Sequence, residues 1–510
     1  MCHLLRASAL AAAMFGLVAA AQAPSTPDGL TIAHAYRVAH EAEILRDYAS
    51  LLALPNVATD AANISKNAQA LADRFRALGV ATELWTVPDA PPVVYGELKI
   101  PGATRTLGLY VHYDGQPADP KAWTHAPWEP TLYTASMESG GKPRPLPAAG
   151  ERVDPEWRIY ARSAGDDKAP LGAMLAVLRA FRERGITPTS NLKFFFEGEE
   201  EAGSPHLGDY LEKYSGRLDD IDVWLFFDGP VHQSGRPLVT FGVRGVTGLE
   251  VTVYGATRSL HSGHYGNWAP VPGQMLAHLL ASMKDENGRV LIDGFYDTVE
   301  PIGAAERAAI DALPKYDNDL KRELGLVRTE GSPQTLAERL LLPSLTIKGL
   351  SSGNTGALAR NVIPSTATAT LGVRLVKGND PDHMLDLVED HIRKQGYYIV
   401  RQDPDMETRL RYPKIAKVTR ETGYPAARTR MDVPIVQEVV KAIDRASGGT
   451  LVQQPALGGS LPLYLFTDRL GKPAVIVPIA NHDDNQHAAD ENLRVANLWY
   501  GIDLYGALFR

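Results

Sequence analysis

The sequence predicts an α/β fold in which a mostly parallel sheet is flanked by helices and a second, smaller domain is inserted. Short apolar runs typical of buried strands alternate with segments whose apolar residues recur at helical spacing, which is the order expected of a parallel sheet. Four of the apolar runs end directly in His, Asp or Glu. Between residues 246 and 420 the order becomes β-α-β-β-α-β, which is typical of a ferredoxin-like unit.

Length and composition agree with this organisation and exclude some functions. The chain has 510 residues, enough for two or more domains with large cores. A net charge of −8 argues against a nucleic acid partner. Cys2 is the one cysteine, so we expect any metal ligands to be His, Asp or Glu.

The first residues predict a signal peptide. Arg6 precedes an apolar run, Ala9–Ala20, and small residues follow it. The small-x-small rule predicts removal of residues 1–21 and a mature chain that starts at Gln22. The run is short for a membrane span, which disfavours the alternative of a membrane anchor. We therefore expect secretion through the inner membrane, a periplasmic or extracellular protein, and no membrane association after processing.

The first part of the α/β domain is predicted to span residues 30–245. Helical spacing predicts helices at 34–54 and 61–79. Strand patterns follow at 81–87, 93–100 and 107–114, then a helix after Asp167 and strands before Glu197 and Asp228. The Pro- and Gly-rich stretches 115–130 and 138–157 are predicted to be loops around a site.

The inserted domain is predicted to span 246–420 and the second part of the α/β domain 421–510. The last strand of the ferredoxin-like order is assigned to 397–403, and residues 284–343 form a helical insertion with no assigned role. The closing part contains a helix at 433–447 and a terminal strand.

Chemistry-bearing side chains follow four of the predicted strands. Strand residues alternate faces, so His112 and Asp114 point to the same side, and a carboxylate there can hold the second ring nitrogen of a metal-binding His. Like charges repel in the segment Asn191–Ser204, so its glutamates indicate either a solvated loop or a metal site. These glutamates are Glu197, Glu199, Glu200 and Glu201. Asp166 and Asp167 precede a predicted helix, so helix capping is their alternative role. The remaining side chains are Asp228, His482 and His487. Because ligands bind beyond the carboxyl ends of parallel strands, we predict a co-catalytic metal site.

These motifs resemble the co-catalytic zinc peptidase and amidohydrolase family that includes carnosinases, glutamate carboxypeptidases, aminoacylases, acetylornithine deacetylases and succinyl-diaminopimelate desuccinylases. The resemblance rests on HYDGQPADPKAW, DDK, EEAGS, the single Asp228 and HAADE, in that order, and is strongest to the carnosinase-type dipeptidase branch. It covers nearly all of the chain after the signal peptide. It implies a zinc-peptidase-type sheet, with the inserted domain as a lid that forms a homodimer.

The resemblance also implies a role for each site residue. The metal ligands would be His112 and Asp228 on one ion, Glu201 and His487 on the other, and Asp166 as the bridge. Glu200 would be the general base, Asp114 would orient His112, and the Asp166–Asp167 peptide bond would be cis. The lid residue His261 would reach the partner's site and stabilise the oxyanion, whereas Arg374, Asn361 and Ser460 would contact substrate. The two divalent ions would be Zn²⁺, and Mn²⁺ or Co²⁺ would fit as well.

Two enzymatic functions and one non-enzymatic function follow from this site. The first is a metal-dependent hydrolase that cleaves short peptides with a free carboxylate, as dipeptidases and carboxypeptidases do. The second is a deacylase acting on N-acyl amino acids, and the third is a binding protein on the same scaffold. Leu457 stands where carnosinase-type enzymes tend to have Glu, which favours an N-blocked or larger substrate.

Overall fold

The computed structural model describes residues 28–510 and shows an α/β domain interrupted by an inserted domain. The predicted signal peptide lies outside the described residues. Among residues 28–510, no helix combines the length and apolar character needed to cross a membrane.

The first part of the α/β domain contains the predicted helices and strands together with several short strands. Its helices are Gly29–Leu52 (α1), Ala61–Ala77 (α2), Lys168–Glu183 (α3) and Leu207–Lys213 (α4). Its strands are Ala81–Trp85 (β1), Val93–Leu98 (β2), Thr106–His112 (β3), Thr131–Tyr133 (β4), Pro143–Arg144 (β5), Arg158–Tyr160 (β6), Asn191–Glu197 (β7), Val223–Phe226 (β8), Leu238–Thr240 (β9) and Gly242–Val243 (β10).

The inserted domain has its own sheet and core. Its strands are Gly245–Tyr254 (β11), Leu260–His261 (β12), Ser344–Ser351 (β13), Val362–Ile363 (β14), Thr366–Leu375 (β15), Tyr398–Val400 (β16) and Ile415–Tyr424 (β17). Its helices are Ser262–Tyr265 (α5), Pro272–Met283 (α6), Ala304–Ala312 (α7), Asp317–Glu323 (α8), Leu336–Arg339 (α9), Pro381–Lys394 (α10) and Met406–Arg411 (α11). The predicted helical character of 284–343 is thus present as α7, α8 and α9.

The closing part returns to the α/β domain. Its strands are Ala427–Arg428 (β18), Val452–Gln454 (β19), Ala474–Ile476 (β20) and Asn492–Arg494 (β21), and its helices are Pro434–Ala446 (α12) and Val495–Phe509 (α13).

The main sheet has eight strands in the order β1-β2-β7-β3-β8-β20-β9-β19. Its centre, β7-β3-β8-β20, is parallel, and antiparallel pairs occur towards both edges. Alternate residues of the central strands enter two cores: Leu109 and Val111 join α1, α3 and α13 on one face, whereas Tyr110 packs with Trp224 and Phe466 on the other. The strands are therefore apolar throughout, as expected of a sheet that is covered on both faces.

The inserted sheet corrects one predicted strand. Its order is β13-β15-β11-β17-β16. The predicted last strand, 397–403, is reduced to the three-residue edge strand β16, and the place beside β11 is taken by β17, which the sequence did not predict. Only Ile415, Ala416 and Val418 of β17 are fully buried. The second half of the strand is polar, so it lacks the alternation of apolar and polar residues that predicts a strand. The predicted boundary at residue 420 falls inside this strand.

The stretches predicted to be loops border a small second sheet. Its order is β21-β6-β4-β5, with β5 lying inside the predicted loop 138–157. These strands are two or three residues long, which is too short to give a readable period-two pattern.

Candidate metal centre

The site lies where three neighbouring parallel strands end. His112 is the last residue of β3, Glu200 follows β7, and Asp228 follows β8, with β3 between the other two strands in the sheet. The carboxyl ends of parallel strands share one edge, so the sheet itself brings these side chains together.

Two groups of possible ligands meet at Asp166. In each group every residue offers one ligand atom, and these atoms lie within 4.8 Å of one another. The groups are His112, Asp166 and Asp228, and Asp166, Glu201 and His487. Nε2 of His112 is 2.8 Å from Oδ1 of Asp166, and Nε2 of His487 is 3.1 Å from Oδ2 of the same carboxylate. The structure therefore brings together all five residues expected as ligands, whereas His482 belongs to neither group.

The electrostatics of the cluster fit bound cations. Burial, followed by the charge of Asp166, raises the pKa of Asp228 to about 7. Burial also raises the pKa of Glu200 well above its usual value, reinforced by Asp228 and Asp166 against the opposing charge of His112. Within residues 28–510, Oδ2 of Asp228 is buried and has no hydrogen-bond partner. Buried carboxylates without enough positive charge are the donor set that divalent cations satisfy.

Asp114 connects His112 with the turn that carries the two glutamates. Its carboxylate accepts the backbone N–H groups of Glu200, at 3.1 Å, and Glu201, at 3.0 Å. Nδ1 of His112 lies 3.2 Å from the backbone carbonyl of Asp114 and 3.4 Å from its Oδ1. The predicted contact of Asp114 with the ring is present, and its hold on the Glu200–Glu201 turn is an addition that the sequence did not suggest.

The two aspartates before α3 serve the site. The peptide bond between Asp166 and Asp167 is cis, as expected. Asp167 stands at the N-cap of α3, yet within the described chain its side chain makes no capping hydrogen bond. It accepts the backbone N–H of His112 at 3.3 Å instead. The capping alternative therefore does not account for this pair.

Glu491 is a supporting residue that the sequence reasoning missed. Its buried carboxylate accepts the backbone N–H groups of Ser163, Gly165 and Asp166, each at 3.0 Å, and the guanidinium of Arg162 at 2.7 Å. It thereby fixes the loop that presents the shared ligand. The HAADE motif contains this residue, but its partners lie more than three hundred positions earlier in the chain.

Two glutamines also contact the ligands. The amide of Gln486 donates to Oδ2 of Asp166, and the amide of Gln116 donates to Oε2 of Glu201, each at 2.8 Å. Gln116 belongs to the HYDGQ motif, and Gln486 directly precedes His487. Such contacts orient a ligand carboxylate.

The remaining glutamates of the acidic segment have structural partners. The Tyr110 hydroxyl donates to Glu197, and the backbone N–H of His206 donates to Glu199 at 2.9 Å. Neither residue belongs to the two ligand groups. The acidic segment thus divides into two residues that face the site and two that support its turn.

The residues predicted in the inserted domain separate into two places. His261 lies on β12 and Asn361 directly precedes β14, where the carbonyl of Asn361 accepts the Ser262 N–H. His261 is exposed, and within residues 28–510 it forms no ion pair with the acidic cluster. Arg374 instead donates a hydrogen bond to the Ser460 hydroxyl of the α/β domain.

Tyr424 lies near this arginine, because Arg374 on β15 and Tyr424 on β17 both pair with Val246 of β11. Burial raises the pKa of the Tyr424 hydroxyl, and the nearby charge of Glu200 reinforces the rise while Arg374 opposes it. Arg374 and Ser460 therefore form a contact between the two domains, whereas His261 belongs to the β12–β14 ribbon.

Comparisons with known proteins agree with this geometry. The sequence matches the family described as Peptidase family M20/M25/M40 over residues 108–510. It is 28% identical to the Cys-Gly metallodipeptidase of Schizosaccharomyces pombe over 428 residues, which cover 81% of each chain. It is also 28% identical to the human Beta-Ala-His dipeptidase over 432 residues, covering 82% of this chain and 77% of the relative.

A solved structure extends the likeness to three dimensions. The M20 family metallo-carboxypeptidase of Sulfolobus solfataricus superposes with a TM-score of 0.72 at 27% identity, covering 92% of this chain and 98% of that one. The catalytic activity that follows is metal-dependent hydrolysis of peptides. The chain belongs to peptidase family M20/M25/M40.

Proposed function

We propose that this protein is a dinuclear metallopeptidase that cleaves short peptides beside a free C-terminal carboxylate. The observation that carries the proposal is the pair of ligand groups sharing Asp166. Two groups that share one carboxylate suit two adjacent cations. His and carboxylate ligands favour Zn²⁺, and Mn²⁺ and Co²⁺ fit the same set.

Glu200 is placed to carry the proton in this reaction. Bound divalent cations would polarise the scissile carbonyl and lower the pKa of the attacking water. Oε2 of Glu200 is 4.0 Å from Nε2 of His112, and Asp114 holds its backbone in place. The Glu200 carboxylate would accept the proton of the water and return it to the leaving amine.

Arg374 would select the carboxylate end of the substrate. Its guanidinium can hold a carboxylate by charge-assisted hydrogen bonds. Among the described residues no carboxylate lies within 4.0 Å of the Arg374 guanidinium. The Ser460 hydroxyl accepts a hydrogen bond from Nη1 of Arg374. The relatives named as dipeptidases and as a carboxypeptidase favour a peptide over an N-acyl amino acid.

A homodimer through the inserted domain would complete the site. Strand β13 is an edge strand with one unpaired side, and Ile347 and Leu350 on it are 50% and 60% exposed. A second copy covering this edge would bury that apolar surface. The exposed His261, which does not reach the cluster of its own chain, would then be available to the partner's oxyanion.

Export to the periplasm or medium remains part of the proposal. It rests on the N-terminal pattern of Arg6, the apolar run and the small residues at Ala19–Ala21. Fractionation of cells, together with the N-terminal sequence of the processed chain, tests it. A processed chain that starts at Gln22 is expected.

The decisive experiment loads the purified protein with Zn²⁺, Mn²⁺ or Co²⁺ and offers dipeptides, their C-terminal amides and N-acyl amino acids. Hydrolysis of free dipeptides and bound metal near two ions per chain are expected. Chelation should remove both the metal and the activity. Faster turnover of N-acyl amino acids would replace the peptidase with the deacylase, and metal-loaded protein inactive on every amide would overturn both.

A further inference from the structure

A cavity of about 320 Å³ separates the α/β domain from the inserted helices α7, α8 and α9. Residues 230–238 and 454–458 form the wall on the α/β side, and residues 310–340 form the opposite wall. The apolar lining comes chiefly from Val231, Leu238, Ile310, Leu313, Leu336 and Leu340. The volume lies at the lower end of the range for small-molecule pockets, about 300–1,000 Å³. The helical insertion, which had no assigned role, therefore builds half of an apolar pocket.

The α/β wall of this cavity is continuous with the metal centre. Pro230 follows the possible ligand Asp228 by two residues, and it pairs with Ala480 after β20. Gly458 precedes Ser460 by two residues and also lines the cavity. Both chain segments thus run from a site residue into the cavity wall, at the sheet edge where ligands bind in open α/β sheets.

The insertion lies directly against the second of these segments. A Cβ atom on Gly458 would be only 3.2 Å from Cδ2 of Leu340. The backbone N–H of Arg244 donates to the Gly459 carbonyl at 3.1 Å, and the Arg244 guanidinium donates to the Leu342 carbonyl at 2.8 Å. These contacts fix the position of the 457–460 loop relative to the insertion, so the cavity has a defined shape beside Ser460.

We propose that this cavity is the subsite for an apolar side chain of the peptide substrate, and that the 304–340 insertion sets this preference. The inference rests on the proposed peptidase function. A cavity of this size suits one side chain and is too small for a partner protein. Leu457 contributes to the same wall, so the loop that leads to Ser460 offers an apolar surface there.

A matched pair of exposed leucines in the insertion allows a clean test. Leu336 lines the cavity and is 45% exposed, whereas Leu324 is 58% exposed and does not line it. Leu336→Asp places a charge in the cavity, and Leu324→Asp places the same charge elsewhere on the insertion. Both side chains are already in contact with water, so both variants are expected to fold, and their melting temperatures check this.

The substrates are alanyl-alanine, leucyl-alanine and alanyl-leucine, cleaved by the metal-loaded protein. The unmodified chain should cleave one leucine-containing peptide about tenfold or more better than alanyl-alanine, measured as kcat/KM. Leu336→Asp should abolish this preference by raising KM for the leucine-containing peptide, while its kcat/KM for alanyl-alanine stays within about twofold of the unmodified chain. Leu324→Asp should stay within about twofold of the unmodified chain on all three peptides.

The remaining outcomes separate the inference from the function on which it rests. A preference that survives in Leu336→Asp, or a loss shared by alanyl-alanine, overturns the subsite. The absence of any leucine preference in the unmodified chain overturns it as well. Failure of the unmodified chain to cleave all three peptides counts against the peptidase itself. If Leu336→Asp does not fold, Ala337→Trp, which fills the same cavity from α9, should give the same loss of preference.

Discussion

The guanidinium of Arg374 donates a hydrogen bond to the hydroxyl of Ser460 and so joins the inserted domain to the α/β domain. Arg374 lies on β15, and Ser460 lies in the loop that follows β19. Tyr424 on β17 pairs with the same residue, Val246 of β11, as Arg374 does. The substrate-binding surface that we propose would therefore be assembled from both domains.

Replacing Arg374 by Ala should weaken binding of peptides with a free C-terminal carboxylate. A hydrogen bond to a charged group contributes about 1.5–3 kcal/mol, so kcat/KM should fall about 10- to 100-fold. Ser460→Ala should cost less, about fivefold, because it removes only the acceptor that positions the arginine. The matched control is the same peptide with a C-terminal amide, on which Arg374→Ala should have little effect. An equal loss on both peptides would contradict the assignment.

Glu200→Gln should abolish turnover while metal remains bound. The substitution keeps the shape of the side chain but removes its capacity to accept a proton, and general-base catalysis contributes about 10²- to 10⁴-fold in rate. Metal content by elemental analysis and kcat are the two measurements. Glu199→Gln is the matched control in the same turn, because Glu199 accepts from His206 and belongs to neither ligand group. Equal losses of kcat in the two variants would remove the special role of Glu200.

Glu491→Gln should loosen the loop that presents Asp166. Four N–H donors point at the buried carboxylate. In the glutamine variant the NH₂ group of the amide replaces one carboxylate oxygen, and it cannot accept the hydrogen bonds that this oxygen accepted. We expect the free energy of unfolding to fall by about 2–4 kcal/mol, because Arg162 loses its buried partner, and metal affinity to fall about 10- to 100-fold. Denaturant unfolding and metal titration measure the two effects.

Glu156→Gln is the control for Glu491→Gln. Glu156 pairs with Arg494 at the surface, where an ion pair contributes about 0–1 kcal/mol. Metal affinity should be unchanged in this variant. If Glu491→Gln lowered stability and left metal affinity intact, Glu491 would be part of the core packing and not a positioning residue of the site.

The sequence reveals most of the site because the end of each central strand can be recognised from the residues of that strand alone. In β3, β7 and β8 an apolar run that is buried on both faces stops at a polar residue, and that boundary is visible one segment at a time. His112, Asp228 and the group of glutamates after β7 could therefore be found without a structure, whereas the choice of Glu201 as a ligand rested on the resemblance of the EEAGS motif. The supporting groups could not, because Glu491 acts on backbone N–H groups that no side-chain pattern reveals.

Helix α13 and strand β17 are two of the elements that escaped prediction, and the reasons are opposite. Helix α13, Val495–Phe509, is buried on nearly every side, so it lacks the polar stripe that marks an amphipathic helix. Strand β17 is polar over its second half and is held by antiparallel pairing with β11, which lies about 170 residues earlier. Its existence depends on that distant partner more than on its own residues. Helix periodicity and strand alternation report only local burial.

The inserted domain should lose stability in acid through Glu389. Burial alone would raise the pKa of this carboxyl, but hydrogen bonds from Arg401 and Arg420 lower it to about 2, below the ordinary value of 4.5. Because the folded-state pKa is depressed, the stabilisation is fully present above about pH 4.5 and is lost as the pH falls towards 2. The side chain is 1% exposed, so roughly 3 kcal/mol is the upper bound of this contribution.

Comparison of the unmodified chain with Glu389→Gln isolates that effect from every other titrating group. At pH 7 the variant should be less stable, because three arginines, Arg393, Arg401 and Arg420, lose their shared carboxylate. The difference in free energy of unfolding should shrink steadily as the pH falls from about 5 towards 2, where the carboxyl of the unmodified chain is itself protonated. The control is Glu286→Gln at an exposed glutamate of the same domain, and it should change the free energy of unfolding only slightly at pH 7. A difference for Glu389→Gln that stays constant over this range would mean that the arginine cluster stabilises the domain through packing and not through the charge of Glu389.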